Sequence, residues 1–151
     1  MGDVLCFELE RSNRLVKEKA VECVRIYLEN NKDLDGLLAT ASMYWIEADF
    51  TDEDVVSVME RKNGIIVTYV KKSLTIIEQR HTKLHCLGHK ILHSNILKNE
   101  ALIDYSDIYN MDNDFATCTH TKKEKEANTF VYLFENMLIA NGRSAGLEIP
   151  Y

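Results

Sequence analysis

The chain has 151 residues, 24 acidic side chains against 18 lysines and arginines, a formal charge of −6 and 46% hydrophobic residues. That length suits one domain able to bury a core without covalent staples, and the hydrophobic fraction excludes a wholly disordered chain. The negative balance argues against a general nucleic-acid binder and equally against an anionic membrane surface as partner. No run approaches the roughly 18 apolar residues of a membrane-spanning helix. Residues 1–10 carry Asp3, Glu8 and Glu10 where a secretory signal has lysines and a long apolar run, so a cytoplasmic protein is expected. Cys6, Cys23, Cys86 and Cys118 fall at irregular spacings with no C-x-x-C pair. They read as free thiols of a reducing compartment, not as a disulfide framework or a zinc ribbon.

In chain order, Ser12 is a candidate N-cap for a helix carrying Val16, Ala20, Cys23, Val24, Tyr27 and Leu28, stopped by Asn30-Asn31. Leu34, Leu37, Leu38, Ala41 and Trp45 predict a second helix over 34–45. Thr51 with Asp54 resembles a capping box and predicts a short third helix through Val55, Val58 and Met59, ended by Asn63-Gly64. The β-branched run 65–70 and the run 74–77, with three polar residues between them, predict a hairpin or small antiparallel sheet. A helix is expected over 78–93. Residues 95–123 hold no period and four aspartates (Asp104, Asp107, Asp112, Asp114), which predicts a long, solvated, partly irregular connection. A last helix over 123–141 shows an unbroken stripe of Ala127, Phe130, Val131, Phe134 and Leu138. The expectation is an α+β, mostly helical single domain with a small antiparallel sheet.

Chemistry concentrates in two blocks. His85 and His89, four apart in a helix, project from one face, so two neutral imidazoles can reach one Zn²⁺. A catalytic zinc needs a third protein ligand and an open position, and Glu124 and Glu126 on the last helix are the candidates for the third. The strings Arg80-His81-Thr82-Lys83-Leu84-His85-Cys86-Leu87-Gly88-His89-Lys90-Ile91-Leu92-His93 and Glu124-Lys125-Glu126-Ala127-Asn128-Thr129-Phe130 resemble the ImmA/IrrE family of metallopeptidases. Its patterns run R-F-T-x-A-H-E-L-G-H-x-x-x-H and E-x-E-A-N-x-F. The resemblance covers about residues 60–140. It implies a zincin-like fold with His85, His89 and Glu124 as zinc ligands, Glu126 as the fallback ligand, and Asn128 and His93 as supporting hydrogen-bond groups. It also makes Arg80 an anchor for the helix start. Gly88 leaves room for another element to press on the metal helix.

One departure outweighs these matches. The family's H-E-x-x-H glutamate, the general base and acid of hydrolysis, is Cys86 here. A cysteine is two atoms shorter, its thiol ordinarily titrates near 8.5, and general acid–base help is worth roughly 10²–10⁴ in rate. His81 replaces a phenylalanine. Cys118-x-His120 could approach the metal from the long connection, and Tyr105 or Tyr109 could donate to an oxyanion in a peptidase of this type. The resemblance implies a prophage or mobile-element protein whose partner is a helix-turn-helix repressor, held without being cut because the base is lost. An active zinc peptidase cleaving that repressor, and a metal-free scaffold, are the competing readings.

Overall fold

The computed structural model describes residues 2–93, 101–113 and 122–144. In order these form α1 (Gly2–Glu29), α2 (Leu34–Thr40), β1 (Met43–Ala48), β2 (Val55–Lys62), β3 (Ile65–Lys71), α3 (Ile76–Leu92), β4 (Leu102–Tyr105), a 3-10 helix (Ser106–Asn113) and α4 (Lys122–Ser144). The architecture is α+β, as expected. The sheet differs from expectation. It is mixed, in the order β1-β3-β2-β4, with β1 parallel to β3 and the other neighbours antiparallel.

The hairpin lies one segment earlier than the sequence pattern suggests. β2 and β3 meet with Lys62 opposite Ile65, leaving Asn63-Gly64 as a two-residue turn. Both turn residues have positive φ, 51° and 84°, which is the left-handed pair that a type I′ hairpin requires and that Asn-Gly supplies cheaply. The short helix expected over 51–59 is therefore absent. Val55-Val56-Ser57-Val58 pairs as a strand, and Asp52 Oδ1 accepts the Asp54 N–H at 2.9 Å in a turn that feeds it. The expected second strand at 74–77 is instead the start of α3. Thr75 Oγ1 accepts the Glu78 N–H (3.1 Å) and Glu78 Oε1 accepts the Thr75 N–H (3.0 Å), a complete capping box.

Two helix ends also move. α1 begins at Gly2, so Ser12 lies inside it and is not its cap. α2 stops at Thr40, because Ser42 takes a positive φ of 57° and turns Met43-Tyr44-Trp45-Ile46 into a strand. Asp33 caps α2 by accepting the Asp35 N–H at 3.2 Å. The connection from β1 to β2 passes the end of β3, where Lys71 Nζ donates to the Glu53 carbonyl at 2.6 Å.

α3 runs through the middle of the fold. Thr82, Leu84, His85, Cys86, Leu87, Gly88 and His89 are all buried, between the inward face of the sheet and α4. α4 buries its expected stripe, with Phe130 and Phe134 at 0% exposure, and each such aromatic contributes about 1.5–3 kcal/mol. Tyr27 on α1 meets Phe134 edge to face at 5.5 Å. Gly88 is where α3 and α4 touch. A Cβ there would lie 3.2 Å from Phe130 Cδ1 and 3.3 Å from both Cα and O of Ala127. Arg80 Nε pairs with Glu135 Oε1 at 2.9 Å, tying the first half of α3 to α4.

The other face of the sheet carries an apolar row beside the charged pair Glu60 and Lys62, and Lys62 also bonds Tyr69. The register places Ile46, Tyr69, Val58 and Ile103 in one row across all four strands. Ile46 and Ile103 are 53% and 44% exposed, with exposed Tyr44 and Tyr105 beside them. Among the described residues, no helix is long and apolar enough to cross a membrane.

Candidate metal centre

Three elements converge on one buried point. From α3, His85 and His89 turn their Nε2 atoms toward each other at 3.0 Å. From α4, Glu124 straddles the pair, with Oε2 3.0 Å from His85 Nε2 and Oε1 3.1 Å from His89 Nε2. From β4, Asp104 places Oδ1 at 3.4 Å from His85 Nε2 and 3.7 Å from His89 Nε2. One donor atom from each of the four lies within 4.8 Å of the other three.

Hydrogen bonds behind the imidazoles fix which nitrogens face the centre. Asn128 donates from Nδ2 to the Ile108 carbonyl (2.6 Å), which orients its amide. Its Oδ1 therefore accepts from His85 Nδ1–H (2.7 Å) and from His81 Nε2–H (3.0 Å). His93 is held neutral, since burial and the neighbouring His89 push its pKa down. With its Nε2–H given to Glu126 Oε1 (3.3 Å), its Nδ1 accepts from His89 Nδ1–H (3.1 Å). Both Nδ1 atoms are thus committed as donors, and both Nε2 lone pairs point at the same spot.

With both imidazoles neutral, two lone pairs and two carboxylates face one another in a buried space, an arrangement a cation would complete. With no ion bound, a proton on the imidazoles takes that part. Burial opposes ionisation of Asp104, yet the His85 and His89 imidazoles hold its carboxyl well below the usual range. Burial likewise pushes His85 down, but Asp104 and Glu124 outweigh it and raise its pKa well above the ordinary histidine value. His89 is raised and Glu124 lowered, each against the cost of burial, by the same contacts.

The residues also pass a geometric test for a metal. Zinc bonds of about 2.0–2.2 Å to nitrogen and oxygen need tetrahedral ligand atoms about 3.3–3.6 Å apart. The spacings from the imidazoles to each other and to the two carboxylates run from 3.0 to 3.7 Å, near that edge, and one atom from each of the four side chains lies within 4.8 Å of the others. Asp104 Oδ1 is fully buried and has no hydrogen-bond donor, an arrangement that costs about 1–3 kcal/mol or more unless a cation meets it.

Asp104 is the member of this group that sequence pattern does not reveal. The acidic stretch around it reads as a solvated connection, whereas β4 pairs it directly opposite Ser57. A bulge between Val55 and Ser57 turns both side chains toward α3, and Ser57 Oγ donates to Asp104 Oδ2 at 3.2 Å. Cys86 completes this group. Its Sγ lies 3.5 Å from Ser57 Oγ and 3.8 Å from Asp104 Oδ2, and it is 0% exposed. Burial first, and the Asp104 charge second, push its pKa well above the ordinary value. Cys86 is thus a neutral, buried thiol, a weak donor and no base.

Of the other expected residues, Glu126 is not at the cluster but bonds His93. His81 is half-buried against Asn128. Tyr109 gives its hydroxyl hydrogen to Thr82 Oγ1 (2.6 Å), because Thr82 donates its own to the Glu78 carbonyl. Tyr105 lies on the outer face of β4, exposed. Cys118 and His120 lie outside the described residues. Comparison with family models, with curated proteins and with solved structures finds no match to this chain.

Proposed function

We propose that this chain is a zinc-binding protein of the metallopeptidase type its two sequence blocks resemble, that of the ImmA/IrrE family, and that it acts by holding a protein partner without cutting it. The observation that carries the metal is Asp104 Oδ1, buried without a donor and facing two imidazole lone pairs. Two imidazoles with two carboxylates suit zinc better than the oxygen-rich, six-or-more-coordinate preferences of magnesium and calcium. A bound zinc would supply Lewis acidity to any group reaching it. His85, His89, Glu124 and Asp104 would hold it, with Asn128 and His93 fixing the imidazoles.

Two observations favour holding over hydrolysis. Among the described residues no base stands beside the cluster, since Cys86 is a neutral buried thiol and Glu126 is engaged with His93. The exposed row across the outer sheet face offers the apolar patch a protein partner would cover. The family resemblance makes a helix-turn-helix repressor from the same mobile element the first partner to try. The test is metal analysis of the purified protein, followed by mixing with that repressor. About one zinc per chain, lost in His85→Ala and His89→Ala, and a complex with intact repressor are expected. Repressor cleavage that a chelator stops would refute the non-hydrolytic reading, and absence of bound metal would refute the metal site.

A further inference from the structure

The distinctive feature of the centre is that four side chains, not three, point into it. Hydrolytic zinc sites keep three protein ligands and leave one position open, whereas structural sites are closed by four. Resting on the metal reading above, we propose that Asp104 closes the centre. Its Oδ1 takes the position a hydrolytic site leaves open, and Ser57 and Cys86 hold it there through Oδ2, so that the ion's role in this chain is structural.

Each part follows from the contacts. The carboxylate is divided between two tasks: Oδ2 receives the Ser57 hydroxyl and the Cys86 thiol, while Oδ1 is left bare toward the imidazole pair. With the Ser57 hydrogen and the one thiol hydrogen both given to Asp104 Oδ2, the 3.5 Å approach of Ser57 Oγ and Cys86 Sγ is a packing contact. Asp104 is rigidly placed, since it is paired within β4 opposite Ser57 and its side chain is wholly buried. His85, His89 and Asp104 have no solvent-exposed side-chain surface, and Glu124 keeps 20%. Cys86 and Ser57 reach the centre through Asp104, which makes them positioning residues. A thiol at position 86 thereby has a use that a glutamate there would obstruct.

The experiment is cobalt(II) substitution of the full chain, read by visible absorption with azide as an added ligand. Unaltered protein is expected to bind about one cobalt with a four-coordinate spectrum that azide does not move. Asp104→Ala is expected to bind cobalt more weakly and to show a spectrum that azide shifts, because a position has opened. The double variant Ser57→Ala/Cys86→Ala is expected to lose about 10–100-fold in cobalt affinity and to become azide-sensitive, a readout that simple loss of packing would not produce. Should Asp104→Ala fail to fold, the isosteric Asp104→Asn carries the test: its cobalt affinity should fall at least tenfold, and an unchanged affinity overturns the proposal. An azide shift in the unaltered protein equal to that of Asp104→Ala overturns closure while leaving the metal site standing. Failure of the unaltered protein to bind cobalt or zinc overturns the metal reading itself, and closure with it.

Discussion

Placing a glutamate at position 86, where the resembled family has one, should damage this protein and not activate it. Cys86→Glu adds three heavy atoms at a position with 0% exposure, 3.5 Å from Ser57 Oγ and 3.8 Å from Asp104 Oδ2. Overpacking of that kind costs about 1–3 kcal/mol. A second carboxylate about 4 Å from Asp104 adds about 4 kcal/mol of repulsion at an effective dielectric of 20, or else takes up a proton and ceases to be a base. Together these approach the whole stability of a small domain, about 5–15 kcal/mol. Urea denaturation followed by the fluorescence of Trp45, the one tryptophan, measures the loss. Adding Asp104→Ser should recover part of it, with a coupling of about 1–3 kcal/mol between the two sites. A Cys86→Glu protein within about 1 kcal/mol of the parent that also hydrolysed peptides would refute the packing of Ser57, Cys86 and Asp104 around one shared carboxylate oxygen.

Gly88→Ala gains about 1 kcal/mol of helix propensity but drives a Cβ into Ala127 backbone at 3.3 Å; a net loss near 1 kcal/mol in denaturant titration is expected, with weaker zinc binding because α4 carries Glu124 one turn away. Zinc uptake by chelator-stripped protein should release at least one proton at pH 7.5. With its pKa raised in the folded state, His85 is still protonated there, so affinity should climb with pH until that proton is gone; calorimetry giving the same heat in buffers of different ionisation enthalpy would contradict this. Chelation should raise hydrogen exchange first in β4 and the opening turns of α4, the elements joined to α3 through Asp104 and Glu124, and zinc at 100 times its Kd should stabilise the fold by about 2.7 kcal/mol. Ile46→Glu and Ile103→Glu, at side chains already about half exposed, should leave zinc content and Tm nearly unchanged while weakening partner binding in pull-down or titration.

The parts of this fold that are legible in the sequence are those with a local signature. The α4 stripe repeats at the helical period, and His85 and His89 are one turn apart, so both are readable without knowing what lies across from them. Asn63-Gly64 is ambiguous because the same left-handed backbone ends a helix and turns a hairpin. Only pairing of the flanking runs, Lys62 with Ile65, decides between the two. Thr75-x-x-Glu78 carries a clear capping signal that the neighbouring Ile76-Ile77 masks by resembling a strand. Asp104 has almost no local signature. Its partner Ser57 is 47 residues away, and an aspartate in an acidic stretch looks solvated until β4 is seen to pair inward. The pattern Leu102-Ile103-Asp104-Tyr105 does alternate, with Asp104 on the side that is buried, and that alternation is the one available hint.

The thiol at 86 and the aspartate at 104 fit together as one arrangement. A carboxylate at 86 and a carboxylate at 104 would compete for the same buried space beside Ser57, and like charges that close cannot both stay ionised. A thiol at 86 removes the conflict, because it is small, neutral and able to donate to the oxygen that the centre does not use. Under the proposed closure, hydrolysis would lack both a base and an open position at the ion. What four donors from α3, β4 and α4 retain is a cross-link between segments distant in sequence, joining an edge strand to the two packed helices. The same edge strand presents Ile103 and Tyr105 on its outer side, so the element that closes the centre also forms one border of the exposed apolar face. Under the proposed closure, an ion that pins β4 would act on the surface offered to a partner, and metal content would become a condition for binding.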